Sequence, residues 1–261
     1  MIQIASFGGG TDSTAMLIGM QQRGEKVDLI LFSDTGGEKP NTYQHAGRFK
    51  GWLVDHGFPP IVTVAAPNVT LEQDCLNRNA LPAIAYGYKT CSQRFKLQPI
   101  EKYINNWEPA QAEWESGNKI TRCIGYESGE ERRAKEYESD KYQNRYPLIE
   151  WGWDRKKCIE VIKSVGLPLP GKSACFFCPS SKAQEVLWLK REHPDLAARA
   201  IAMEKNANLT EIKGLGRNFA WSDLIDFDDR QAKLLDEDWS TAEIPCGCYD
   251  GEDVLTVEGE K

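Results

Sequence analysis

Short apolar runs alternate along the chain with longer stretches of helical spacing. Residues 2–7 (IQIASF) predict a strand, and 12–22 a helix with Ala15, Met16, Leu17 and Met20 on its apolar side. The nearly continuous apolar run in VDLILFSDTGG predicts a second strand, ending at Asp34. PNTYQHAGRFKGWLVDHG predicts a helix opened by Pro40 and stopped by Gly57. IVTVAAP predicts a third strand, 92–106 a helix, KITRCIGY a fourth strand and RYPLIEW an extended segment. Strands alternating with helices imply parallel βαβ units. The expected fold is α/β, a doubly wound, mostly parallel five-stranded sheet with ligands outside the carboxyl ends of its strands.

Past residue 150 the pattern changes. DRKKCIEVIKSVGL predicts a helix capped by Asp154, PLPGKSACFFCPSS interrupts, and 181–206 is helical with a break at His193–Pro194. From about 226 onward the chain is acidic and weakly periodic, which predicts a surface-wrapping or partly mobile end. The expected organisation is a nucleotide-binding unit over 1–150 and a smaller helical, cysteine-bearing region over 151–261.

Composition narrows the classes. The chain has 261 residues, 41% hydrophobic and 27% charged, as in an ordinary globular protein. No apolar run approaches the ~20 residues of a membrane span, and the N-terminus has no leader pattern, so a cytoplasmic protein with no membrane partner is expected. A net charge of −7 weighs against a broad nucleic-acid-coating surface but allows a local basic groove. Eight cysteines in a reducing compartment direct attention to metal or redox chemistry. Cys175 and Cys178 form C-x-x-C, and Cys246 and Cys248 form C-x-C. Cys75, Cys123 and Cys158 read as small buried apolar residues. His45, His56 and His193 have no partner at ligand or triad spacing and read as surface or capping residues.

The first strand runs into SFGGGTDS. Consecutive glycines permit positive φ and close backbone approach to a ligand. The helix behind them offers free N–H groups and the positive end of its dipole, which suit a phosphate. Thr11 and Ser13 add hydroxyls, and Asp12 suits a cap or a metal-bound phosphate. Neither G-x-x-x-x-G-K-[ST] nor G-x-G-x-x-G is present.

SFGGGTDS resembles the S-G-G-x-D-S loop of the PP-loop ATP pyrophosphatase superfamily, with Gly8 in the place of the first serine. FSDTGGEKPNTY resembles the second-strand motif F-x-D-T-G-x-E-x-P-x-T-Y of the phosphoadenosine phosphosulfate (PAPS) reductase family within it. CSQRFKLQPIEKYI is similar to that family's C-x-x-x-K-x-x-P-I/L segment, and GYESGEERRAK more loosely to its G-I-R-x-x-E-S-x-x-R-A, with Glu127 where an arginine is usual. The four segments follow the family's order over about residues 1–180. The resemblance implies an adenine nucleotide alpha hydrolase-like fold. It implies a nucleotide site of Ser6, Gly8, Gly9, Gly10, Thr11, Asp12, Ser13, Asp34, Thr35, Gly36, Gly125 and Arg133. Asp12, Ser13 and Lys96 would be catalytic, Lys96 meeting negative charge on the nucleotide, with ATP and Mg²⁺ as cofactors.

Family members that reduce adenosine phosphosulfate hold a 4Fe–4S cluster on a C-C pair followed about eighty residues later by C-x-x-C. Here Cys91 follows Thr90, which breaks the tandem pair, and Cys175 and Cys178 come at the matching distance. Three thiolates with an open position, or with Cys248 or Cys246 as the fourth ligand, suit a 4Fe–4S cluster, and a Zn²⁺ site from the same thiolates is the alternative. The reductases' C-terminal E-C-G-L/I-H tail is absent. Three functions remain open on this reading. One is an adenylating, pyrophosphate-releasing sulfurtransferase acting on a nucleic acid or small metabolite, resembling cluster-dependent tRNA thiolases. The second is a reductase forming sulfite with a thioredoxin-like electron donor. The third is a non-catalytic nucleotide-binding module of a DNA-modification or defence assembly. A sulfur- or electron-donor protein and a homodimer are the possible partners. In GLGRNFAWSDLI, Arg217 and Trp221 are able to stack on a base, the plainer reading being a tryptophan packing a short helix.

Overall fold

The computed structural model describes residues 1–134 and 139–230. Its centre is one five-stranded sheet in the order β3-β2-β1-β4-β5, parallel at every pairing. The strands are β1 Gln3–Ser6, β2 Leu29–Asp34, β3 Ile61–Ala65, β4 Ile120–Ile124 and β5 Tyr142–Arg145. Inner strands of a parallel sheet are buried on both faces, and alternate residues divide between two cores. Ala5, Ile30, Phe32 and Cys123 join one core, and Ile4, Leu29, Leu31 and Ile120 the other.

Helices α1 (Thr11–Gln22) and α2 (Pro40–Asp55) cover the first face, and α5 (Gln98–Asn105) and α6 (Glu108–Glu115) the second. Helix α1 differs from the expected amphipathic helix: Thr11 and every residue from Ser13 to Met20 are buried. Helix α8 (Arg155–Ser164), capped by Asp154 accepting from Lys157 N at 2.8 Å, packs on its outer side through Cys158, Val161 and Ile162. A third core gathers α3 (Leu71–Asn77), α9 (Ala183–Glu192), α10 (Pro194–Asn206) and α11 (Trp221–Arg230) around the CFFC segment.

The extended segment expected over 145–151 is a correction. Strand β5 ends at Arg145, and Pro147–Glu150 form the short helix α7. Pro147 at the first helical position explains the switch. Trp221 is buried at 1% exposure, so it packs the third core and is not open to a base. Its helix is fastened by the buried Glu204, which accepts from Trp221 N at 2.8 Å and Ser222 N at 3.0 Å. Among the described residues no helix is long and apolar enough to cross a membrane.

The stretch from 90 to 105 is helical, as the spacing predicts, but not uniformly α. Short α4 (Thr90–Ser92) runs into a π turn, Gln93–Leu97, and then α5. Pro99 has no N–H to give the carbonyl of Phe95 four residues back. Ser33 on β2 donates to that carbonyl instead, at 2.9 Å. Such π turns often mark functional positions, and this one carries Lys96.

Candidate functional site

Strands β2 and β4 leave β1 on opposite sides, so the crevice of this sheet opens at the carboxyl ends of β1 and β4. Ser6 closes β1 there, and the glycine loop follows. Gly9 has φ +75°, and a Cβ on it would come within 2.8 Å of the Thr42 methyl. Gly9→Ala is therefore expected to destabilise the protein by about 1–3 kcal/mol through strain and crowding, read as a lower urea midpoint. Gly125, just past β4, abuts the start of α1: a Cβ there would lie 3.0 Å from Asp12 C and Ser13 N.

The loop is stapled from within. Gly8 N donates to Ser13 Oγ at 3.1 Å, and Thr14 Oγ1 donates to Gly10 O at 2.8 Å. Since the Thr14 proton is committed to Gly10, the 2.9 Å contact with His45 requires Nε2–H to donate. His45 is buried against Phe7 and Phe49, and burial lowers its pKa to about 4, which keeps it neutral. It is a support of the loop, which corrects its reading as a surface or capping residue. His56 and His193 do stand at helix ends.

Around the first turn of α1 stand charged groups from distant parts of the chain. Arg155 Nη1 lies 2.8 Å from Asp12 Oδ1, and its Nε lies 3.2 Å from Glu127 Oε2. Arg133 pairs with Glu130 at 2.6 Å and covers the Tyr126 ring at 4.3 Å. Burial, outweighing the attraction of Arg155, raises Asp12 to about 6 and Glu127 to about 7. With Cys158, these carboxyls form the one group among the described residues whose potential metal-ligand atoms all lie within 4.8 Å of one another.

The shifted Asp12 makes a stability prediction. Its folded-state pKa, about 6, lies above the ordinary 3.8, so the fold prefers the protonated form. That preference contributes stability fully at low pH and is lost as pH rises through about 6. Asp12→Asn is expected to flatten this slope and to raise stability at pH 8 by about 2 kcal/mol, measured by thermal melts across the pH range.

The second half of the site is the cysteine pocket. Cys91, Cys175 and Cys178 line one cavity of about 40 Å³ with Thr35, Lys89, Lys96, Ile84, Phe177 and others. Residues far apart in sequence build it. Glu38 and Cys175 form an antiparallel bridge, Lys39 N donates to Ala174 O at 3.2 Å, and Phe176 N donates to Gly37 O at 2.8 Å. Ser173 Oγ donates to Gly8 O, so one segment touches the glycine loop and, two residues on, carries Cys175. Two extended residues span at most ~7 Å. The loop and the thiols are neighbours.

Lys96 reaches Glu38 Oε1 at 3.1 Å within this wall, and Thr35 Oγ1 lies 3.1 Å from Cys175 Sγ. Thr35 thus turns its side chain to the thiol pocket, while Asp34 accepts from Gly36 N and from Tyr43 OH, each at 2.7 Å. Burial pushes the Cys91 thiol up, and that of Cys175 well above its ordinary value. Phe176 and Phe177 are fully buried beside them. Cys75, Cys123 and Cys158 are buried, as expected. Cys246 and Cys248 lie outside the described residues.

Arg155, Ser173, Lys89 and His45 are the site residues that sequence reasoning missed. Arg155 carried one available signal, its place directly after the Asp154 cap of a helix.

No family model and no curated protein matches this sequence. Solved structures with a similar fold include phosphoadenylyl-sulfate (PAPS) reductase from Candida auris in a phosphate complex. It is 17% identical with a TM-score of 0.44, over 65% of this chain and 75% of that one. Another is the U34-tRNA thiolase NcsA from Methanococcus maripaludis with its 4Fe–4S cluster. It is 14% identical with a TM-score of 0.40, over 91% of this chain and 84% of that one. Strand order 3-2-1-4-5 gives this chain a parallel α/β fold, with the S-F-G-G-G-T-D-S loop closing β1 and the D-T-G-G-E loop closing β2.

Proposed function

We propose that this protein is an ATP-dependent, adenylating sulfurtransferase with a thiolate-held metal centre, acting on a nucleic acid or a small metabolite. The observation that carries the reading is the segment Ser173–Cys178. It is bonded to the glycine loop at one end and presents two thiols beside Cys91 at the other. A nucleotide seated on that loop would have its activated group next to a site suited to sulfur.

In the first step an acceptor oxygen attacks the α-phosphate of ATP and pyrophosphate leaves. In the second, hydrosulfide displaces AMP, which carries the oxygen away. The backbone N–H groups at the head of α1 would bind phosphate charge as it develops. Asp12 and Glu127, whose ligand atoms lie within 4.8 Å of one another, suit a hard cation, and these carboxylates would hold Mg²⁺. Arg155, between them, would orient both.

The three pocket thiols, with apolar walls, fit a soft metal. Tetrahedral Zn–S bonds put sulfurs ~3.8 Å apart. A 4Fe–4S cluster on Cys91, Cys175 and Cys178 is the first reading of this pocket, and Zn²⁺ on the same thiols the alternative. When bound, such a cluster would supply a soft Lewis-acidic position for sulfur. Phe176 and Phe177 would keep water from it.

The test is anaerobic. Purified protein, ATP, sulfide and bulk tRNA or DNA should release pyrophosphate and place sulfur in the acceptor. Sulfite from adenylyl sulfate, with no pyrophosphate from ATP, would overturn the reading in favour of a reductase.

A further inference from the structure

We propose that the groove between β3 and α5 holds a single strand of nucleic acid, as the acceptor in the sulfur-transfer reading, on which this rests. The groove measures about 780 Å³ and lies beyond the carboxyl end of β3, against the exposed side of α5. That volume is within the ~300–1,000 Å³ typical of ligand pockets. Two kinds of side chain line it: the cations Arg94 and Lys102, and the half-buried rings of Tyr103 and Trp107.

The charge of this surface is positive. No carboxylate lines the groove among the described residues. Lys102 is exposed and pairs with no acid among those residues, while Glu101 on the same helix pairs with Arg122 at 3.9 Å. Arg94 shares Asp74 with Arg78, at 2.7 and 2.6 Å, so two guanidiniums meet one carboxylate. In a chain of net charge −7 this is a local exception, and it calls for an anionic partner.

The rings narrow the choice of anion. A nucleobase stacks on an aromatic face whatever its identity, while Arg and Lys meet its phosphates. Gln98 adds an amide for a base edge. Residues 94 and 102 are attached roughly 12 Å apart along the helix. Their charge is therefore spread along the groove, as spaced phosphates require, and not gathered at one point. A duplex would need a broad positive face; one strand needs only such a track.

The groove also adjoins the thiol pocket. The π turn Gln93–Leu97 carries Arg94 to the groove and, two residues on, Lys96 to the cavity lined by Cys91, Cys175 and Cys178. A strand lying in the groove would bring a neighbouring nucleotide to the thiols. Base stacking then falls to Tyr103 and Trp107, since Trp221 is buried.

Fluorescence anisotropy of a short labelled oligouridylate, titrated with the full chain purified anaerobically, tests the proposal. Wild type should bind it saturably, and more tightly than the same sequence in a duplex or a polyglutamate peptide. The slope of log affinity on log salt should be about −1.4, for two phosphate contacts on a single strand. Lys102→Glu should weaken binding about tenfold or more and flatten that slope by about 0.7, and Lys102→Arg should retain both. Tyr103→Phe should bind normally, whereas Tyr103→Leu, which keeps bulk but loses the π face, should bind about fivefold or more weakly. Lys50→Glu makes the same charge change on the exposed side of α2, across the sheet, and should leave affinity unchanged. Equal losses in Lys102→Glu and Lys50→Glu would overturn the proposal by reducing the effect to net charge. No binding by wild type, or tighter binding of the duplex or the peptide, would overturn it too. Pyrophosphate release is measured separately: a strand that binds through Lys102 and Tyr103 without prompting release would sink the sulfur-transfer reading and uphold the groove as a strand-binding surface.

Discussion

Replacing Asp12 with alanine is expected to slow pyrophosphate release from ATP by roughly 100-fold or more while leaving the fold intact. The carboxyl stands in the first turn of α1, within 2.8 Å of Arg155, in surroundings that hold its pKa at about 6. A fold gains nothing from keeping an anion there at neutral pH. Removing it should leave the melting temperature at pH 8 unchanged or higher, the same direction expected for Asp12→Asn. Loss of turnover together with equal or greater stability identifies a group retained for chemistry. The measurement is pyrophosphate release at saturating ATP alongside a thermal melt. A variant that turns over normally would mean that Asp12 serves only as the partner of Arg155.

Cys175→Ser is expected to abolish metal retention, and Cys178→Ser to do the same. Serine keeps the shape but replaces a soft thiolate with a weakly acidic hydroxyl, which binds iron or zinc poorly. Cys75→Ser is the control. Cys75 is buried in the same core but does not line the pocket, so its variant should suffer a comparable packing cost and keep its metal. Metal analysis and visible absorption of anaerobically purified samples give the answer. Brown protein that turns colourless in the pocket variants alone establishes an iron–sulfur cluster, whereas zinc in their place establishes a structural site. Equal metal content in all three would remove the pocket from the metal chemistry altogether.

The parts of this protein legible in the sequence share a physical property: their signals are local. β1 and β2 are apolar runs that end in turn chemistry, glycines in one case and Asp34-Thr35-Gly36 in the other, and both emerge where the spacing puts them. The Asp154 cap and the break before Pro194 are equally local, and both are present. Helix α3 was missed although its signal was there: Thr70 and Gln73 form a capping box ahead of Leu71. β5 had almost no signal. Its sequence, YQNR, is a polar edge strand defined by its pairing with β4.

The site divides the same way. The sequence by itself determined that three glycines and an acidic turn would stand at strand ends, because strand period and turn chemistry are set by neighbouring residues. It also carried three cysteines at telling spacing. Only the tertiary structure decided that Cys91 joins Cys175 and Cys178 in one pocket, that Ser173 ties that pocket to the glycine loop, and that Arg155 answers Asp12 across the crevice. Those pairings join residues far apart in the chain. What selects them is which polar groups burial strands together and forces to satisfy one another, a requirement that arises only once the cores have closed.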